Sequence, residues 1–158
     1  MKTANIVIWL HGVQSESFNP QPIYECQAKV AEMVSRKDGD VWEHSLYNWD
    51  AEVTVRERIL FSMVKSRGNW LTTQIRQAIC FTGCDMWWTL STLKDGKPGW
   101  VSFEIMSKLE AIINEKMQYW TARGYTPQVH LVCHSWGTWV GMNHIITHPE
   151  TNFNFITF

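Results

Sequence analysis

The 158-residue chain lacks a dominant charge: 14 Lys and Arg stand against 15 Asp and Glu, for a formal net charge of -1. A nucleic-acid groove wants a basic excess, so nucleic acid is not expected as a partner. With 45% hydrophobic and 18% charged residues the composition also argues against wholesale disorder. No apolar run approaches the roughly 18–20 residues of a membrane helix, and no transmembrane segment is expected. The N-terminal run Ile6-Val7-Ile8-Trp9-Leu10 leads straight into His11-Gly12 with no small-residue cleavage site. It reads as a buried strand rather than a signal peptide. Cysteine is scarce, with Cys26, Cys80, Cys84 and Cys133, and the only close pair is Cys80-x-x-x-Cys84. A zinc site wants a second Cys/His pair at ligand spacing, which nothing near Cys80 supplies, so no metal is expected. Without a secretory segment, reduced thiols and a cytoplasmic setting are the expectation. A glycine-rich loop to cradle a phosphate is missing too, leaving a nucleotide or flavin cofactor without support. There is no internal repeat, low-complexity tract or dividing linker. The length suits one domain with its own core.

What is plentiful is tryptophan, 10 in all, with Trp87-Trp88 paired and Trp136 and Trp139 close together. Such a number implies large apolar surfaces, only some of which need be core. The run at 5–10 fits a strand buried on both faces, as in a parallel sheet. Between Phe18 and Arg36, Ile23, Val30 and Val34 fall at helical spacing after Pro20 and Pro22, and Asp38-Gly39 read as the stop. Val41 to Tyr47 is a second strand, whose polar insertions place it toward a sheet edge. Two helical stripes follow, Val55/Ile59/Met63 and Leu71/Ile75/Ala78/Ile79. Residues 84–100, apolar and then loop-like, are read either as a lid over a pocket or as an irregular stretch packed on the core. Val101 to Arg123 is the clearest helix, with Ile105, Leu109, Ile112, Ile113, Met117 and Trp120 on one face and Gly124 as a left-handed cap. Pro127 precedes a third strand over 129–133. A helix from about Trp136 to Thr147 stops before Pro149, and 153–158 read as a fourth strand. The alternation predicts an α/β fold with a parallel sheet and right-handed crossovers.

The chemistry centres on Leu131-Val132-Cys133-His134-Ser135-Trp136-Gly137-Thr138. It reads as strand, sharp turn holding Ser135, then helix, close to the G-x-S-x-G nucleophile elbow. Cys133 stands at the first glycine position and Gly137 at the second. A strained serine backbone needs small residues two places either side, so that strand and helix can approach. The turn lifts the Ser135 hydroxyl clear of the sheet. It also sets the Trp136 N–H at a helix N-terminus, where negative charge is favoured. His11-Gly12-Val13 follows the first strand directly. Strand ends of an open parallel sheet converge on one edge, so His11, Gly12, Val13, Tyr47 to Asp50 and Ser135 are expected there together.

On Trp9-Leu10-His11-Gly12-Val13 and Val132-Cys133-His134-Ser135-Trp136-Gly137 the chain resembles the α/β-hydrolase superfamily, on its serine esterase, lipase and thioesterase side. The resemblance implies an open, mostly parallel sheet with helices on both faces. It implies attack by Ser135 on an ester or thioester carbonyl, an acyl-serine intermediate, and main-chain N–H groups of Val13 and Trp136 holding the oxyanion. A small acyl ester is the expected substrate, with no cofactor. His11 is expected to hold the loop. In that family the triad acid and histidine follow the serine. After Ser135 this sequence has Glu150, His144 and His148 but no Asp. His144 lies about 13 Å along the following helix at 1.5 Å per residue, too far to reach the serine, and His148 lies farther. His134 is expected to point elsewhere. Asp50 and Asp85 have no histidine to orient. The expectation is therefore a C-terminally truncated, partial hydrolase domain over 1–158, incomplete as an enzyme. Two alternatives stand beside it: a non-catalytic hydrolase-like protein that binds an acyl ligand or a partner, and a flavodoxin-like binding module with strands in the order 2-1-3-4.

Overall fold

A computed structural model of the chain describes residues 2–12, 21–34, 40–49, 59, 72–75 and 100–157. The apolar run near the N-terminus forms strand β1 (Thr3–Leu10), in which seven of eight residues are buried. Burial on both faces is what a central parallel strand requires. Helix α1 (Gln21–Val34) follows, with Pro22 in its first turn, where a missing N–H costs no helical hydrogen bond. Next come β2 (Val41–Tyr47), α2 (Trp100–Thr121), β3 (Thr126–Cys133), α3 (Trp136–Thr147) and β4 (Phe153–Thr157). Gly124, at φ 78°, caps the end of α2 as expected. The two stripes expected between Val55 and Ile79 fall outside the described residues except for Ile59 and residues 72–75, which are helical. Of the segment 84–100, read either as a lid or as an irregular stretch on the core, only Trp100 is among the described residues, where it opens α2; Cys80 and Cys84 lie outside them.

The chain divides into two compact units, one of Met1–Gly12, Asn19–Tyr47 and Lys108–Phe158, the other of Val13–Phe18 and Asn48–Ser107. The first holds a four-stranded sheet in the order β2-β1-β3-β4, every pair parallel. Among the described strands β2 lies at one edge, in keeping with its polar insertions. β3 starts three residues before the expected position and includes Pro127. The N–H of Thr126 donates to Lys2 O on the β1 side at 2.9 Å, so the next residue faces the other way. On that side β4 pairs only from Val129 onward. The proline therefore leaves no ladder hydrogen bond unmade.

Register sorts the side chains between two faces, because residues alternate along a strand and parallel partners share a face. One face carries Val7, Trp9 and Val132, covered by Ile23 and Val30 of α1 and flanked by Trp42 and Leu46 of β2. It also carries a polar layer. Asn5 Oδ1 and His130 Nε2 lie 3.0 Å apart, and Trp9 Nε1 donates to His44 Nδ1 at 3.2 Å. The other face carries Ile6, Ile8, Leu10, Val129, Leu131 and Cys133, all buried. Here α2 is tied to the β2 edge through Glu43, which accepts from Lys116 Nζ and, at 2.6 Å, from Trp120 Nε1. Burial alone would push the Glu43 carboxyl up, but these two donors and the lysine charge hold it below its ordinary value.

α3 buries His144, which stacks on His148 at 4.3 Å between centroids and meets Phe153 edge-on. Its Nδ1 is buried without a hydrogen-bond partner. Burial pushes its pKa from the ordinary 6.5 down to about 4, and His148 adds to this while Glu110 and Glu150 oppose it. The folded ring thus stays neutral through a range in which the unfolded ring takes up a proton. Stability on this account is full above pH 6.5 and is lost as pH falls toward 4, by about 3 kcal/mol. His44 and His130, also lowered by burial, act with the same sign. Urea midpoints at pH 7 and pH 4.5 should show the drop, and a His144→Leu variant should show a smaller one.

Candidate active site

The registers Leu10↔Tyr47, Leu10↔Cys133 and Cys133↔Thr157 bring the C-terminal ends of all four strands level at one rim. At this rim β3 gives way to α3 through His134 and Ser135. The N–H of His134 donates to Leu10 O at 2.9 Å, holding the turn against the end of β1. Ser135 then takes φ 52° and ψ −121°. It is the one non-glycine residue with positive φ among those described. A side chain forced into such a region costs about 1–3 kcal/mol, and such residues cluster where function demands them.

The serine receives no local compensation through its hydroxyl. It occupies the N-cap of α3, where a serine ordinarily accepts from a backbone N–H of the first turn, yet it makes no side-chain cap bond. The turn is closed by the backbone instead: Gly137 N donates to His134 O and Thr138 N to Ser135 O, each at 3.0 Å. Ser135 is exposed, and Trp136 opens the helix beside it.

Two glycines allow the approach. A methyl group on Gly12 would sit 2.8 Å from Ser135 Cβ and 3.2 Å from its Oγ. On Gly137 it would sit 2.5 Å from the carbonyl oxygens of both Leu10 and His11. The ends of β1 and β3 and the start of α3 are therefore in backbone contact, and only residues without a side chain fit between them. Cys133, two places before the serine, is fully buried, and burial pushes its thiol up to about 12, so it packs as a small neutral group.

The site residues read from the sequence thus meet at one place: Gly12, Cys133, His134, Ser135, Trp136 and Gly137, with His11 buried beside them. His11 Nδ1 lies 2.6 Å from Gly12 O, bracing the corner. His134 differs from expectation. Its Nδ1 reaches within 3.4 Å of the point where a Gly12 methyl would sit, the same point that Ser135 Oγ approaches. The strained turn swings both side chains toward the glycine. His144 is buried against Phe153, and His148 pairs with Glu110 at 3.3 Å. Val13, Asp50 and Asp85 lie outside the described residues.

Sequence reading missed a cavity next to this turn. It measures about 240 Å³ and opens between the first turns of α1 and the ends of β1 and β3. Ile23 of the expected helical stripe lines it, with Cys26 one turn farther along α1, whereas Trp9 as a wall follows from pairing across the chain.

Among the described residues, no group of three or more His, Cys, Asp or Glu side chains is placed to hold a metal, and no helix is long and apolar enough to cross a membrane. Comparison with models of protein families, with curated proteins and with solved structures finds no match to this chain.

Proposed function

We propose that the chain carries the nucleophile site of a serine hydrolase of the α/β-hydrolase kind, acting on a carboxylic ester or thioester. One observation carries the reading: Ser135, an exposed residue, holds a strained backbone at a strand-to-helix turn while its side chain makes no capping bond. Strain without structural return is what a site shaped for chemistry accepts. The level strand ends and the Gly12 contact support it, since ligands of open parallel sheets bind at that rim.

In this reading Ser135 Oγ attacks the carbonyl carbon, its proton passes to solvent water, and the departing alcohol or thiol takes up a proton from the same solvent. The carbonyl C–O or C–S bond breaks to leave an acyl-serine, which water hydrolyses to the free acid. The N–H of Trp136, at the positive end of α3, faces the developing oxyanion in this reading; Val13, expected as the second donor, lies outside the described residues. His11 braces the loop through Gly12 O.

A fluorophosphonate probe should label the wild-type chain, and Ser135→Ala should lose the label while keeping its thermal midpoint. A wild-type chain that resists the probe and turns over no ester overturns the reading. A second reading, a non-catalytic relative that binds an acyl ligand, draws on the placement of His144 and His148, both engaged away from the serine. It predicts ligand binding without labelling.

A further inference from the structure

A serine hydroxyl is a weak nucleophile until a neighbouring group takes its proton. The histidines that follow Ser135 do not serve, since His144 is buried against Phe153 and His148 is paired with Glu110. The residue directly before the serine is differently placed. His134 Nδ1 and Ser135 Oγ both approach Gly12 on the side where a side chain would stand, ending 3.4 Å and 3.2 Å from the position of its first carbon. The backbone of His134 is pinned at both polar groups. Its N–H donates to Leu10 O at 2.9 Å, and its carbonyl accepts from Gly137 N at 3.0 Å. The ring moves only by turning about its own side-chain bonds, so little freedom is lost in presenting Nδ1 to the hydroxyl. His134 and Ser135 are both exposed, which gives a proton collected there a way out to water.

We propose that His134 is the general base for Ser135, and that the serine proton reaches solvent by way of His134 Nδ1. The inference rests on the reading of Ser135 as nucleophile and adds the group that activates it. It departs from the hydrolase pattern, in which the histidine follows the serine along the chain. Nδ1 must hold a lone pair for this, so the ring proton sits on Nε2. In acylation the Oγ–H bond breaks as Nδ1–H forms, and the Oγ electron pair makes the new bond to carbon. The imidazolium releases its proton to the surrounding water, from which the departing alcohol or thiol is protonated. Water then attacks the acyl-serine as Nδ1 takes its proton, and the ring returns that proton to Oγ as the free acid leaves. Contacts between base and nucleophile are often long in an unliganded protein and tighten when substrate binds.

The fluorophosphonate probe reads the first step alone: Oγ bonds to phosphorus, fluoride leaves and the proton goes to the base. Asparagine sets an amide near the place of Nδ1 but takes up no proton, so His134→Asn keeps the shape of the turn and removes the base. Labelling of the wild type should climb with pH through one protonation step. His134→Asn should label about a hundred- to ten-thousand-fold more slowly, without that step and with the wild-type thermal midpoint. His134→Ala should be equally slow and should recover with added imidazole, whereas His134→Asn, its space filled, should not. Equal labelling rates in the wild type and His134→Asn overturn the inference and leave the nucleophile standing. A wild type that takes no probe overturns the nucleophile, and the base with it. If His134→Asn melts early, the alanine variant decides: recovery with imidazole upholds the base, and its absence overturns it.

Discussion

Gly137→Ala should lower the stability of the protein by about 3 kcal/mol, the upper end of what overpacking ordinarily does. For a chain of this size that is a fall of roughly 6–12 °C in thermal midpoint. The added methyl would meet the carbonyl oxygens of Leu10 and His11 at 2.5 Å. Neither can swing aside as a side-chain tip would. Leu10 lies in the central strand, paired on both sides, and its carbonyl also accepts from His134. Relief must come from moving α3 off the end of β1. That shift would carry Ser135 with it, so ester turnover should fall by more than the loss of folded protein explains. Differential scanning calorimetry and turnover measured well below the midpoint separate the two effects. A variant within 1 °C of the wild type would show that helix and strand do not meet as described.

Ser135→Gly should do the opposite to stability while ending the reaction. Glycine adopts φ 52° and ψ −121° without the steric penalty a Cβ brings, which relieves about 1–3 kcal/mol. The looser unfolded chain takes back about 0.4–1 kcal/mol. The net expectation is a gain of about 1 kcal/mol over the wild type. Ser135→Ala keeps the Cβ and should show no gain. Urea midpoints of the three proteins at constant slope provide the measurement. If glycine and alanine variants are equally stable, the backbone at this position is not strained, and the observation that carries the proposed function is lost.

Local features were legible in the sequence wherever a single segment decided them. The run at 6–10 could only be a buried strand, and Gly124 only a helix stop. The turn at 133–137 was readable because its demand for small residues falls within five positions. Features made by pairing across the chain were not. Asn5 inside an otherwise apolar strand makes sense only once His130, far along the chain, is its partner. The same is true of Trp9 and His44. His134 was expected to point elsewhere because it adjoins Ser135 in a strained turn, whereas its Nδ1 lies 3.4 Å from the point where a Gly12 methyl would sit. The start of β3 was misplaced because a proline argues against a strand unless one knows that its neighbour on that side begins later.

That proline constrains alignment. Sliding β4 by two places toward the start of β3 would keep every side chain on its own face, so hydrophobic patterning offers no resistance to it. The slide would, however, bring Phe153 opposite Pro127, where β4 would need a donor that an imino acid does not have. Among the described strands, misalignment of β4 is thus discouraged by chemistry in the main chain of its neighbour, and replacing Pro127 with a residue that has an amide hydrogen would remove that obstacle.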